Sequence, residues 1–216
     1  MPTKENSIMN RNLKTAATIA ALGAAALLSG CAFVPANIHP VYHSTVGVTK
    51  VPESGTVTVD VVVKNENKTG NEVSLKKDGF DISMAGVYMH VANDFKVAIT
   101  KALQDRGFHD DSHGLATVKV TIKRFYLPEQ EGLVTQNYTG SVNIRVMVYN
   151  ARGEALYEKE LKTSKVHTAY AIGGAGRTAK VLLNDAVNEL VNDQAFISAI
   201  MKCRNKEYGA TIGRPS

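Results

Sequence analysis

The sequence predicts a two-layer α+β domain: an antiparallel or mixed sheet with two main helices packed on one face, in the order β-β-α-β-β-β-α. Three observations lead there. Thr56–Val63, Val118–Ile122 and Val142–Val148 alternate apolar and polar residues with a period of two, and β-branched residues dominate them. Residues 87–106 and 181–200 switch to helical spacing. Each strand has one apolar and one polar face, so a helical layer must cover the apolar side.

In the first strand Val57, Val59, Val61 and Val63 point one way, while Thr56, Thr58 and Asp60 point the other. Lys64 to Asn71, with Gly70, reads as a polar turn, and Glu72 to Lys76 as a returning strand that closes at Asp78-Gly79. In the first helix, Val91, Phe95, Ala98, Ile99 and Ala102 share one face. Gly107 supplies its C-terminal stop, with Phe108 folding back onto the helix end. Val118, Val120 and Ile122 start the next strand, and a loop around Pro128 and Gly132 follows. Val142, Ile144, Val146 and Val148 then form a strand paired with Ala155 to Val166 across a tight turn at Asn150-Ala151-Arg152-Gly153. Ala169 to Arg177 is small, glycine-rich and read as a flexible connection. Val181, Leu182, Ala186, Leu190 and Val191 give the second helix, and Asp193 is placed to cap a short last one through Ala195, Phe196, Ala199 and Ile200.

The N-terminus carries a different signal. Arg11 and Lys14 precede an apolar, Ala-rich stretch from Thr15 to Leu28, which runs into Leu28-Ser29-Gly30-Cys31. A basic n-region, a short apolar core and small residues form a secretory signal. At 14 residues the apolar stretch is shorter than the roughly 20 needed to span a bilayer. With a cysteine at the cut, it resembles a bacterial lipoprotein signal. That resemblance implies cleavage before Cys31 and acylation of its thiol and new amine. Two acyl chains of about 14 buried carbons each, at ~0.8 kcal/mol per methylene, hold on the order of 20 kcal/mol of anchoring. Ala32 after the cysteine, rather than aspartate, implies sorting to the inner leaflet of the outer membrane.

The organisation expected is therefore a signal peptide over 1–30, a tether over 31–52, one envelope domain over 53–202 and a polar tail over 203–216. Pro35 and Pro40 suit an extended tether, with Phe33, Val34 and Ile38 either packing on the domain or dipping into lipid headgroups.

The net charge of +5 misleads about partners, because residues 31–201 hold 18 basic and 18 acidic side chains. A neutral body lacks the basic stripe of a nucleic-acid binder. With Cys31 consumed by lipid, Cys203 has no intramolecular partner. It reads as a half-buried inert thiol, or as the site of an intermolecular disulfide in a homo-oligomer.

This order of elements is similar to that of small Gram-negative envelope lipoproteins of the YajG type. The shared features are the lipobox at Leu28 to Cys31, the helix from Asn93-Asp94-Phe95 to Arg106-Gly107-Phe108 and the strand Val118 to Tyr126. The hairpin Ser141 to Val166 and the helix Asn184 to Ile200 also match. The family carries no assigned activity, so the resemblance implies the fold and the anchor. The α/β layout also resembles accessory lipoproteins of envelope transport and secretion machines.

Candidate chemistry is sparse. His109-Asp110-Asp111-Ser112-His113 is the one cluster of metal-ligand types, with His109, Asp111 and His113 as the candidate ligands of a metal-dependent hydrolase. Gly173-Gly174-Ala175-Gly176-Arg177-Thr178 precedes a helix and offers backbone N–H groups to an anion, but lacks the lysine and spacing of a nucleotide loop. Val62, Met147 and Tyr149 sit on the polar faces of their strands and could form a partner patch. No cofactor and no catalytic residue are expected. The function expected is a non-enzymatic, lipid-anchored scaffold or accessory subunit that binds another envelope component, with the 109–113 loop of a hydrolase or polymer-binding protein as the alternative.

Overall fold

The computed structural model describes residues 34–44, 48–77, 82–130, 135–170 and 174–204. Its strands are β1 (Ala36–Ile38), β2 (Thr58–Asn65), β3 (Glu72–Lys77), β4 (Ser83–Met89), β5 (His109–Asp110), β6 (Ala116–Tyr126), β7 (Glu129–Gln130), β8 (Thr135–Asn150) and β9 (Ala155–Tyr170). The helices are α1 (Val91–Asp105), α2 (Gly174–Asn192) and α3 (Gln194–Lys202). The fold is α+β with open sheets, as the alternation predicts. A small sheet has the order β1-β4-β3; a larger one runs β5-β2-β6-β8, with β7 and β9 both paired to β8.

The larger sheet is mixed. β2 and β6 are parallel, because α1 lies between them in the chain and carries it back across the sheet, whereas β6, β8 and β9 are antiparallel. Val59, Val61, Val118, Val120, Ile122, Ile144, Val146 and Val148 are all within 1% of full burial beneath the helices. A bulge between Ile122 and Arg124 then shifts the alternation by one residue, which turns Phe125 and Leu127 inward. Opposite them α1 buries every residue expected of its apolar face, with Leu103 added. Its end is a Schellman motif: Phe108 N–H donates to Leu103 O, Gly107 N–H to Gln104 O, and Gly107 takes a φ of 97°. The turn at Asn150–Gly153 forms as expected, with Gly153 at φ 79° and Asn150 Oδ1 accepting from Arg152 N and Glu154 N.

Four elements differ from the sequence expectation. β4 is a strand, although the spacing from residue 87 predicts a helix. Ala85, Val87 and Met89 are buried in period two, but Ala, Gly and Met are weak strand formers and hide the pattern. β3 exists but does not return along β2: it pairs with β4, and Leu127 N–H donates to Val73 O to join the two sheets. The glycine-rich stretch is not a free connection from residue 174 onward, because Gly174–Thr178 is the first turn of α2. Within the stretch read as a tether, Ala36–Ile38 pairs in parallel with β4, Tyr42 is buried, and Val51 N–H donates to Arg106 O. The signal peptide, Cys31, Gly173 and tail residues 205–216 lie outside the described residues.

The packing of α2 and α3 on β9 rests on acidic residues spaced by four. Asp185 pairs with Lys165, Glu189 accepts from Thr163 Oγ1, and Asp193 Oδ2 accepts from Lys159 Nζ at 2.8 Å and Tyr157 OH at 3.0 Å. Asp193 also caps α3, its Oδ1 accepting from Ala195 N and Phe196 N, as the sequence predicts. The Lys159 contact comes first among the causes that hold its carboxyl below the usual range, with Tyr157 and the two cap N–H groups adding to it. A depressed folded pKa contributes stability above the unfolded value that is lost as pH falls through the folded one. Asp193→Ala should therefore cost about 1–2 kcal/mol at neutral pH. The gap between wild type and variant should shrink as denaturation is repeated from about pH 5 down toward pH 3. A gap that stays constant over that range would assign the loss to packing rather than to the carboxylate.

Candidate functional site

After β1 the chain does not leave the domain but runs along α2. Gly176, Lys180, Asn184 and Asn188, four apart, form the ridge it follows. Ile38 packs over Gly176, His43 N–H donates to Asn184 Oδ1 at 2.8 Å, and Tyr42 OH donates to Asn188 Oδ1 at 2.8 Å. Burial is the main cause that raises the Tyr42 phenol pKa, so the hydroxyl stays a donor through neutral pH. Asn184 is itself fixed, its Nδ2 donating to Lys180 O at 2.7 Å.

Strap and helix enclose an open cleft of about 420 Å³. Ile38, His39, Pro40, Val41 and His43 form one wall; Gly176, Arg177 and Lys180 form the other. Its ionisable lining is entirely basic or imidazole, set at the N-terminal turn of α2, where the helix dipole also favours negative charge. His39 stacks on His90, the N-cap of α1, with ring centroids 5.6 Å apart and planes 19° apart. Beneath them, burial raises the Asp94 carboxyl pKa against the opposing pull of His39 and His90. The arrangement suits a carboxylate- or phosphate-bearing group.

The anion reading of Gly174–Thr178 thus gains a setting that its glycines alone do not provide. Thr178 is no part of it, being buried with Oγ1 donating to Gly174 O at 3.0 Å. Nothing in the sequence pairs Tyr42 with Asn188, 146 residues away. The available signal is the Gly-Lys-Asn-Asn ridge at four-residue spacing on a helix otherwise expected to be apolar inside and charged outside.

The 109–113 cluster does not assemble as a metal centre. His109 and Asp110 form β5, parallel to Thr58 and Val59. Asp111 Oδ1 is committed to His113 N–H at 2.9 Å, and His113 Nδ1 lies 3.2 Å from Ser112 Oγ. Among the described residues no three His, Cys, Asp or Glu side chains converge as ligands. The carboxylate that metal binding would need instead shapes a turn. The hydrolase reading loses its site.

Val62 is 41% exposed, but Lys119 lies between it and Met147 across β2, β6 and β8, so the two form no continuous apolar patch. Tyr149 OH donates to Met147 Sδ at 3.1 Å, and both are half-buried. Cys203 is buried at the C-cap of α3, its thiol donating to Ala199 O at 3.4 Å, and burial raises its pKa. An intermolecular disulfide would first require the end of α3 to open.

No helix among the described residues is long and apolar enough to cross a membrane. No functionally curated protein matches the chain. A crystal structure of a Xanthomonas campestris protein is similar at TM-score 0.54 and 10% identity, covering 78% of this chain and 99% of that one. A minor lipoprotein from Acinetobacter baumannii aligns at TM-score 0.37 and 7% identity, covering 67% and 94%. A neuraminyllactose-binding hemagglutinin homolog from Helicobacter pylori aligns at 0.38 and 10%, covering 76% and 97%. The first of these likenesses shows the fold. Residues 45–200, which take in β2 through most of α3, match the family described as uncharacterized lipoprotein, and the chain belongs to that family.

Proposed function

We propose that the protein is a non-enzymatic, lipid-anchored accessory subunit of the cell envelope, acylated at Cys31 and held on the periplasmic face of the outer membrane. Its domain binds another envelope component through the cleft between the residue 39–43 strap and α2. The observation that carries this reading is the cleft itself: basic, open and built by a strap that starts only eight residues after Cys31. Membership of a lipoprotein family supports the anchor, and Ala32 supports the outer membrane. The cleft chemistry fits an acidic segment of a partner protein.

The test is a photo-crosslinking residue at Val41, 62% exposed on the rim of the cleft, in the full-length protein in intact cells. One reproducible envelope partner is expected, and Lys180→Glu should lower its yield severalfold by reversing a charge in the cleft. Capture of nothing above background would end the accessory reading. Fractionation that places the protein in the inner membrane alone would overturn the outer-membrane assignment.

A further inference from the structure

We propose that the end of the small sheet at which β4 begins rests on the lipid surface, with Val34 and Ile82 seated in its headgroup region. The inference rests on acylation of Cys31 and goes further, to the orientation of the domain. β1 and β4 are parallel, and β1 begins opposite Val87, four residues into β4, so the chain before β1, with Val34, runs back toward the end where β4 starts. Val34 lies two residues before β1 and Ile82 one residue before β4, and they are 58% and 59% exposed. β3 runs antiparallel to β4 and finishes at the end where β4 starts. Two exposed apolar side chains at the end of the sheet nearest the acylated cysteine suit an interfacial contact.

Chain length selects lipid as the occupant. Four residues separate Cys31 from Ala36, and the five Cα–Cα steps between them reach at most about 18 Å. Because β1 is fixed in the sheet and Tyr42 behind it is buried, the slack of a longer tether is missing. The apolar end is therefore held next to the bilayer, whatever else the domain binds. Arg152, in the β8–β9 turn, is the reference position: the small sheet joins the larger one where Leu127 N–H meets Val73 O, beside the Tyr126–Ser141 pair, nine residues of β8 and about 30 Å from Asn150.

The experiment uses the full-length acylated protein in vesicles containing anionic lipid. Single cysteines at Val34, Ile82 or Arg152, in a Cys203→Ser background, carry an environment-sensitive fluorophore. Brominated or spin-labelled lipids quench it. Quenching at residues 34 and 82 should exceed that at 152 at least about twofold, since an interfacial side chain sits roughly 5–10 Å into the headgroup boundary. Inserting ten Gly/Ser residues after Ala32 should abolish that difference while the protein still floats with vesicles. Flotation with equal, weak quenching at all three positions would overturn the seat and leave the anchor standing. A blue-shifted but unquenched probe at 34 or 82 would mean that protein, a second copy or a partner, covers this end, and would also overturn it. Failure to float, with no acyl mass on Cys31, would remove the lipoprotein reading and the seat together.

Discussion

Phe95→Ala should unfold the domain more readily than any other single change argued here, at a cost of about 3–5 kcal/mol. Phe95 is fully buried on the sheet-facing side of α1, and its ring meets Phe125 edge-on, with centroids 5.5 Å apart and planes at 84°. Truncation removes the transfer free energy of the ring and leaves a void between α1 and β6. It also forfeits an aromatic contact worth about 0.5–1.5 kcal/mol beyond burial. Against a total stability of about 5–15 kcal/mol, that is a large fraction, and Tm should fall by on the order of 10 °C. Val97→Ala is the control, because Val97 is 60% exposed on the same helix and its loss should change stability by less than about 0.5 kcal/mol. Equal losses for the two variants in urea denaturation would mean that α1 is not held by this pair.

The same pair shows which parts of the fold are legible in the sequence. The Phe95 side could be read directly, because Val91, Phe95, Ala98, Ile99 and Ala102 keep helical spacing without interruption. Phe125 could not. The bulge after Ile122 shifts the period-two pattern, and only the paired strand fixes where the shift falls. β1 escaped for another reason. Three residues between two prolines carry no period, and the strand exists only because β4 offers it an edge.

The cleft is a harder case. Its two walls come from residues 38–43 and 176–180, and their contacts are polar, so no hydrophobic periodicity announces them. The prolines of the first wall predict a tether, and Pro40 sits in the cleft wall. What redirects the chain is Tyr42, which buries its ring and still finds an acceptor in Asn188. The 109–113 cluster shows the opposite failure. Its residue types suggested a metal, but adjacency in sequence placed them along a short strand and a turn instead of around a point.

Gly140→Ala should cost about 1–3 kcal/mol by overpacking, and its effect should reach the cleft. Gly140 lies on the buried face of β8, in phase with Val142, Ile144, Val146 and Val148. A Cβ built there would overlap Leu182 Cδ1 and stand 2.9 Å from Leu127 Cδ2. Both leucines are fully buried, so neither can swing into solvent, and α2 has to move or Leu182 has to leave its rotamer. Leu182→Ala alone should cost about 2–5 kcal/mol through the cavity it opens. The double variant refills part of that cavity with the new methyl. Its loss should therefore fall short of the sum of the two singles by about 0.5–3 kcal/mol. Strict additivity in denaturant unfolding would show that Gly140 and Leu182 are not packed against each other. Because α2 also carries Lys180 and the Asn184 and Asn188 acceptors of the strap, a shift of this helix loosens the cleft from behind. Crosslinking from Val41 should drop for Gly140→Ala at temperatures where the domain is still folded, and recover in the double variant with Leu182→Ala.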